Sequence, residues 1–322
     1  MKRRICIFIL SFIVIYLVTF AVPRLMPGDP FEYSASDAAE NVDVSLTREQ
    51  KEIMRAYYGL DRSVGEQLLN TIQANLRGDF GQSIHYKRAA ADVIVERLPW
   101  TLLIMGTTLI LSLIAGVFLA LVGVRRPRMD RFIYGGSSLL SEVPAYLIGV
   151  LLLFLVAAKV DWIPLSGAQT AFARYGSLWE QVGDIAVHAM LPVTALCLYT
   201  IPKFYFTARA SFLSVREKLY LLGAKSRGVT ERRVRWRYIF VNGITPVLAR
   251  LFLCVGGTIG GTILVENVFA YPGLGTVMRE AVKYRDYIMI QDVFLLSAVL
   301  VLVSMFLADW LNSFVDRKEG LR

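Results

Sequence analysis

The residues of this sequence that could carry chemistry are few, and their spacing does not favour catalysis. His85 and His188 are the two imidazole side chains among 322 residues, and the three cysteines fall within apolar runs. The chain contains neither the Gly-x-x-x-x-Gly-Lys-Ser/Thr loop that holds nucleotide phosphates nor the Gly-x-Ser-x-Gly and His-Glu-x-x-His motifs of hydrolases. The sequence therefore predicts a protein with no catalytic residues, no metal-ligand cluster and no cofactor of its own.

Glu142 is a carboxylate within a long apolar run, and its depth makes it a candidate functional residue. A helix through this run is predicted to begin near Phe132, so Glu142 would lie roughly 15 Å along the helix axis, near the middle of a bilayer. An ionised carboxylate at that depth is costly unless it faces water or a partner group. We therefore predict that Glu142 lines a transport pathway and favours cationic cargo, such as a peptide amine. A protonated carboxyl group at a subunit interface and a salt bridge to Arg250 are the alternatives.

A basic segment over residues 209–246 is the second candidate site. Ser214 and Glu217 form a capping-box pattern that predicts a helix start, and the helix is expected to continue to about Arg227 before Gly228 ends it. Small residues on this helix would let another backbone approach closely, and the arginines that follow could pair with carboxylates of a partner. The segment would then transmit a movement from a cytoplasmic protein into the membrane. A solvated basic loop that binds anionic lipid loosely is the alternative interpretation.

The elements that position these residues are predicted to be transmembrane helices. Apolar residues make up 55% of the chain and are collected in long runs. About 20 apolar residues in a helix cross the hydrocarbon core of a bilayer. The first run follows three basic residues, as in a signal peptide, but it is longer than a signal core, so a retained first span is expected. Six spans are predicted, at residues 5–24, 100–124, 132–158, 185–208, 242–267 and 288–312.

The distribution of positive charge predicts the orientation of these spans. The chain has 35 lysines and arginines and a net charge of +9. Of these 35 residues, 19 lie in four short segments at alternate ends of the spans, as the positive-inside rule requires. Both termini and the basic segment are therefore predicted to be cytoplasmic, and the charge is attributed to topology rather than to nucleic-acid binding. The four segments are residues 1–4, 125–131, 209–240 and 313–322.

Residues 25–98 are predicted to form an extracytoplasmic segment with short helices of its own. Thr47 and Gln50 form a capping-box pattern, Gly59 predicts a helix end, and a second helix is expected over Ser63–Leu76. The chain is thus divided into a first transmembrane helix (1–24), this extracytoplasmic segment (25–98) and a five-helix core (99–322) that carries the cytoplasmic coupling loop at about 209–240.

The fifth predicted span contains two further features that could serve an assembly. Its glycines form two small-x-x-x-small pairs, and we expect them to pack against a partner membrane subunit. Arg250 lies about two turns inside the span, where it could reach the interface or pair with Asp309. The glycines are Gly256, Gly257, Gly260 and Gly261.

A series of short motifs gives the chain an end-to-end resemblance to one family. In their order and spacing, these motifs resemble the inner permease subunit of the dipeptide, oligopeptide and nickel family of ATP-binding cassette importers. The motifs are Met26-Pro27-Gly28-Asp29-Pro30, Tyr58-Gly59-Leu60, Arg77-Gly78-Asp79-Phe80-Gly81-Gln82-Ser83, Arg97-Leu98-Pro99-Trp100-Thr101-Leu102, Trp162-Ile163-Pro164, His188 with Leu191-Pro192, and Val265-Glu266-Asn267-Val268-Phe269-Ala270-Tyr271-Pro272-Gly273-Leu274-Gly275.

The resemblance implies an all-α membrane protein with the type I ABC importer permease fold, located in the plasma (inner) membrane of a prokaryote. It also implies the partners: a homologous second permease, two ATP-binding subunits that hold ATP and Mg, and an extracytoplasmic substrate-binding protein. Di- or oligopeptides are the expected cargo, and nickel or a metal chelate is the alternative within the family. An ion-coupled secondary transporter and a membrane scaffold or receptor are the alternatives outside it.

The resemblance assigns the docking of the ATP-binding subunits to the basic segment. Leu222 replaces the acidic first residue of the general importer pattern, and Gly223 stands where alanine or threonine is usual. The residues implied to couple the two subunits are Leu222, Gly223, Ala224, Lys225, Ser226, Arg227, Gly228, Glu231 and Arg232.

Overall fold

A computed structural model describes residues 2–27, 31 and 47–319, and this part of the chain is almost entirely helical. It contains no β-strand and a single isolated bridge, between Gln82 and Ala89. The predicted all-α fold is confirmed. Residues 28–30 of the first motif and residues 320–322 of the last basic segment lie outside the described residues. The longer helices are α1 (Lys2–Arg24), α2 (Arg48–Tyr57), α3 (Val64–Leu76), α4 (Ala90–Arg125), α5 (Pro127–Glu142), α6 (Ala145–Leu155), α7 (Leu178–Arg216), α8 (Leu219–Ser226), α9 (Thr245–Val268), α10 (Leu274–Lys283) and α11 (Tyr287–Glu319).

Five of these helices, α1, α4, α7, α9 and α11, are long and apolar enough to cross a bilayer. Their apolar portions cover the first, second, fourth, fifth and sixth predicted spans. Helices α4 and α7 extend well beyond the bilayer thickness, with 36 and 39 residues. Both helices therefore continue into segments that the hydropathy pattern alone predicted as loops.

The third predicted span, residues 132–158, is not one straight helix. It is divided into α5 and α6, which together are apolar enough for a span but are bent by 99° at the break. Pro144 lies at the break, and Val143 before it is extended, with φ −89° and ψ 120°. Proline has no amide N–H and disfavours the helical conformation of the residue before it, so the helix ends at Glu142.

The chain forms two compact units. The first, which we call the N-terminal unit, comprises residues 1–99 and 272–299, and the second, the core unit, comprises residues 100–271 and 300–322. The predicted division at residues 24 and 98 did not include residues 272–299 with the N-terminal segment. The grouping follows from side-chain packing, because Ala90 and Val93 share one apolar cluster with Val277 and Ile290.

The short helices of the N-terminal unit begin and end as predicted. Thr47 and Gln50 form a reciprocal capping box at the start of α2, and Ser63 caps α3 with Glu66 in the same way. Gly59 follows α2 with φ +66°, a left-handed conformation that glycine adopts without steric cost. These local signals therefore determine where both helices lie.

The core unit is built around α7, which packs against α5, α6 and α9. Helix α4 approaches α7 so closely at Gly116 that a Cβ there would lie 2.9 Å from the backbone nitrogen of Tyr205. Asp130, in the first turn of α5, forms a two-point ion pair with Arg209 of α7 at 2.6 and 2.7 Å and accepts a hydrogen bond from the Tyr205 hydroxyl. The cytoplasmic end predicted for these helices is therefore tied together by charge as well as by packing.

Candidate functional site

Helix α8 lies in the segment that was predicted to couple to a partner, and its two sides differ sharply. Leu221 and Ala224 are buried, and Leu221 belongs to the same apolar cluster as Val234 and Ile239. The opposite side carries Leu219, Leu222, Gly223 and Ser226, all exposed and spaced i, i+3, i+4 and i+7 along one helix face. We call these four residues the α8 outer face. Ala224 therefore anchors the helix to its own chain, whereas the α8 outer face is open.

Gly223 is the residue of the α8 outer face that the chain's own fold does not explain. Its φ is not in the left-handed region, and a Cβ added there would meet no atom within 4 Å. A glycine within a helix costs about 1 kcal/mol relative to alanine. Neither backbone conformation nor packing of the described residues requires the glycine.

The start of α8 corrects one prediction. Ser214 and Glu217 were predicted to begin the coupling helix, but α7 continues to Arg216 and Glu217 is its C-terminal cap. The buried face of α7 continues into the capping pattern, because Phe212 and Val215 are both buried on it. The coupling helix is therefore shorter than predicted, with eight residues.

The exit from α8 is formed as predicted. Gly228 has φ +73°, and the amide of Val229 donates to the carbonyl of Ala224 at 3.2 Å, which ends the helix. Glu231 and Arg232 follow in a three-residue helical turn, Glu231–Arg233, and both are exposed, as is Arg227. The side chain of Lys225 lies outside the described residues.

The return to the membrane is held against α7. Residues Val234–Phe240 form a π-helix, a rare form that is often found at functional sites. The hydroxyl of Ser211 donates to the carbonyl of Gly243 at 2.8 Å, and a Cβ at Gly243 would lie 2.5 Å from the Phe212 ring. The segment that contains α8 therefore begins directly after α7 and, at Gly243, ends in contact with α7. A displacement of α8 would for this reason act on α7.

Glu142 occupies an unexpected position. The structure places it as the last residue of α5, at the bend, and its side chain is exposed in this chain. Among the described residues, no ion pair joins Glu142 to Arg250. The salt bridge that was the alternative to pathway lining is therefore not formed, and the carboxylate is available to another molecule.

Helix α9 presents an open face next to α7. Leu253, Gly257, Gly260 and Leu264 are exposed on it, and Arg250 on the same side is half-buried. We call these five residues the α9 open face; they follow the i, i+3, i+7, i+10 and i+14 spacing of one helix side. The predicted glycines divide between two roles, because a Cβ at Gly256 would contact Val301 and one at Gly261 would contact Leu196 of the chain itself.

Lys203 of α7 is the residue that sequence analysis missed. Its Nζ lies 3.7 Å from the centre of the Tyr199 ring and 3.6 Å from where a Cβ of Gly257 would stand. Arg250 and Lys203 both lie close enough to the Cys254 thiol to act on it electrostatically. Neither cation has a carboxylate partner in the part of the chain the structure describes. The signal by which the sequence could have identified it is the presence of a lysine within a predicted apolar span.

The other candidate residues have structural roles. The Nδ1 atom of His188 lies 2.9 Å from the carbonyl oxygen of Asp184. Glu266 is fully buried, and its carbonyl accepts a hydrogen bond from the amide of Tyr271 at 2.8 Å. Among residues 2–27, 31 and 47–319, no group of three or more His, Cys, Asp or Glu side chains could hold a metal ion.

Comparison with known proteins gives a consistent result. Residues 112–320 match the family described as "Binding-protein-dependent transport system inner membrane component". The chain is 28% identical over 305 residues to the oligopeptide transport system permease protein AppB of Bacillus subtilis, covering 94% of this chain and 93% of that protein. It is also 28% identical over 306 residues to the glutathione transport system permease protein GsiC of Escherichia coli K12, with the same coverage of both chains.

A solved structure has the same fold. The chain is similar to a crystal structure described as that of an amino acid ABC transporter with histidines, with a TM-score of 0.50 and 16% sequence identity. The likeness covers 71% of this chain and 94% of that one. It supports the predicted type I permease fold.

Proposed function

The chain belongs to the family of binding-protein-dependent transport system inner membrane components, and from this premise we propose that it imports di- or oligopeptides and couples to its ATP-binding subunits through α8. The family is a multi-pass component of the inner membrane, and its members are transport components rather than catalytic enzymes. We further propose the assembly: a homologous second permease, two ATP-binding subunits that bind ATP and Mg, and an extracytoplasmic binding protein.

The observation that carries the coupling proposal is the α8 outer face. Gly223 is open, costs helix stability and packs against none of the described residues. A glycine in such a place is explained when another backbone must come close. Leu219 and Leu222 beside it are large, apolar and exposed, at 82% and 62%, and exposed apolar patches mark sites of interaction with other proteins. Arg227, Glu231 and Arg232 would surround this contact with charge.

The proposal of peptide cargo rests on the relatives and on two charged positions in the core unit. AppB and GsiC are named for the transport of oligopeptides and glutathione. A Cβ at Gly261 would lie 3.9 Å from Cβ of Ala145, which is three residues after Glu142, and Lys203 reaches Gly257 one turn away. Two cations thus lie at α9, and the carboxylate lies at the bend before α6, a helix that packs against α9. We propose that Glu142 contacts a peptide amine and that Lys203 and Arg250 contact a carboxylate, as a zwitterionic peptide requires.

The test of coupling is the purification of the assembly with altered α8 residues. Gly223→Arg places a long charged side chain on the α8 outer face without a clash in its own chain, so the permease should insert and fold. We expect the amount of ATP-binding subunits recovered with it to fall by about tenfold or more, since an obstructed interface centre costs a large share of binding energy.

The matched control is Gly65→Arg. Gly65 is also an exposed helical glycine with no atom within 4 Å of a Cβ, but it lies on α3, in the predicted extracytoplasmic segment. It should leave the recovery of ATP-binding subunits unchanged. Full recovery with Gly223→Arg, or an equal loss with both variants, would contradict the coupling proposal.

A further inference from the structure

The N-terminal unit contains an apolar cavity of about 670 Å³ between α1, α3, α4 and α11. We call it the α1–α11 pocket. Its size is within the range of small-molecule binding sites. Its walls include Leu17, Ile72, Val95 and Leu296, and Leu17 and Val95 are also exposed at the surface of the chain. Helices α1, α4 and α11 carry apolar membrane runs, so the pocket can receive molecules from the bilayer.

One charged group lines this apolar pocket. Asp292, in the second turn of α11, is 5% exposed. Its Oδ2 atom is buried and has no hydrogen-bond partner among the described residues. Nearly all buried polar atoms in folded proteins have such a partner, because an unpaired one costs a large desolvation free energy. The position of Asp292 therefore indicates a missing partner.

Asp286 shows that a buried carboxylate in this unit can be fully supplied with hydrogen-bond donors. Asp286 is also fully buried, but its two oxygens accept hydrogen bonds from the Ser83 hydroxyl and from the amides of His85 and Met289. The fold thus supplies three donors to one aspartate and leaves an oxygen of the other without one.

The charges near Asp292 do not compensate it. Among the described residues, the charges that act most on its carboxyl group are those of Asp286 and Asp79, which are both acidic. Arg24 is close by, but its guanidinium donates to Gln67, to Gln291 and to the carbonyl of Phe20. The polar groups beside Asp292 in the pocket are the Tyr16 hydroxyl and the Asn75 amide, which bond to each other at 3.0 Å.

We propose that the α1–α11 pocket binds an aminophospholipid, with its acyl chain against the apolar walls and its primary ammonium group on Asp292. A lipid is the amphiphile that surrounds these helices, and a primary ammonium supplies both the positive charge and the N–H donors that the carboxylate lacks. Asp292 is five residues after the start of α11, about 8 Å along the helix axis. A headgroup near the membrane interface can therefore reach it.

The experiment measures headgroup preference on the full-length chain. The protein is purified from mixed vesicles with equal amounts of phosphatidylethanolamine, phosphatidylcholine and phosphatidylglycerol of the same acyl composition, and the retained lipids are quantified by mass spectrometry. We expect phosphatidylethanolamine to be enriched by about fivefold or more over phosphatidylcholine, because a quaternary ammonium cannot donate a hydrogen bond. This comparison needs no substitution and so does not depend on a variant that folds.

Asp292→Asn is the informative variant, and Asp92→Asn is its control. Asp292→Asn removes the charge with little change in shape and should abolish the preference. Asp92 is an exposed carboxylate on α4 of the same unit and does not line the pocket, so Asp92→Asn should retain it. Equal retention of the two lipids by the wild-type protein, retention of none, or a preference that survives Asp292→Asn would each overturn the inference.

Discussion

Single residues carry the proposed selectivity of this permease, and they do so as charges in an apolar setting. Lys203 and Arg250 have no carboxylate partner in the described chain, and Glu142 is exposed at the bend between α5 and α6. Charged groups within membrane helices are costly and usually face partners or a water-filled path. Lys203 and Arg250 lie at α9, and Glu142 lies at the bend before α6, which packs against α9; this arrangement is the basis for proposing that they contact one cargo.

The cargo proposal predicts a paired change in specificity. Glu142→Gln should lower the uptake of a peptide with a free amine by about tenfold and leave its N-acetylated form unaffected, because a charge-assisted hydrogen bond is lost. Lys203→Gln should lower the uptake of a peptide with a free carboxylate by about tenfold and leave the uptake of its amidated form unaffected, for the same reason. Competition between the modified and unmodified peptides measures both effects. Equal effects on all four peptides would contradict these roles.

Sequence analysis identified Glu142 but not Lys203 or Asp292, and the reason is physical. Glu142 stands out because a helix of known rise places it deep in an apolar run. Lys203 lies within the span predicted at residues 185–208, and Asp292 within the span predicted at residues 288–312, and neither was singled out. Their unusual positions depend on which side of each helix is buried, and that is set by tertiary packing between segments distant in the chain.

At the scale of elements, the positions of the helices were predicted well from the length and periodicity of the apolar runs, whereas the bend in one of them was not. The first and fifth spans were predicted at residues 5–24 and 242–267 and are found as α1 (Lys2–Arg24) and α9 (Thr245–Val268). The break at Pro144 was missed, although proline was visible, because apolar runs often continue through a proline that neighbouring helices accommodate. Ser214 was misread because a local capping pattern lost to the continuing buried face of α7.

The contact of α4 with α7 gives an element-scale prediction. A Cβ at Gly116 would lie 2.6 Å from Cβ of Phe204 and 2.9 Å from the Tyr205 backbone. Because backbone cannot move aside cheaply, Gly116→Ala should lower the free energy of unfolding by about 1–3 kcal/mol. Thermal unfolding of the purified protein in detergent measures the change.

Gly106 of the same helix provides the control for that measurement. A Cβ at Gly106 would meet no atom within 4 Å, so Gly106→Ala should be neutral or stabilise the helix by up to about 1 kcal/mol. A Gly116→Ala protein as stable as Gly106→Ala would show that the two helices do not approach as closely as the structure indicates.

At the scale of the whole molecule, the chain is built to be one part of an assembly. Its net charge of +9 is concentrated in segments predicted to be cytoplasmic. The α8 outer face and the α9 open face leave apolar and small residues uncovered within the core unit. Membership of a family in which the membrane component works with separate binding proteins accounts for both the concentrated charge and the uncovered faces. We therefore regard the uncovered faces as interfaces rather than as surface of a monomer.

The most direct test of the account is transport by the reconstituted assembly in proteoliposomes. Uptake of a labelled oligopeptide is measured with the binding protein present, with and without the ATP-binding subunits, ATP and an imposed ion gradient. We predict uptake that requires the ATP-binding subunits and hydrolysable ATP, does not respond to ionophores and is lost with Gly223→Arg. Transport by the chain without any ATP-binding subunit, driven by the ion gradient, would contradict the account.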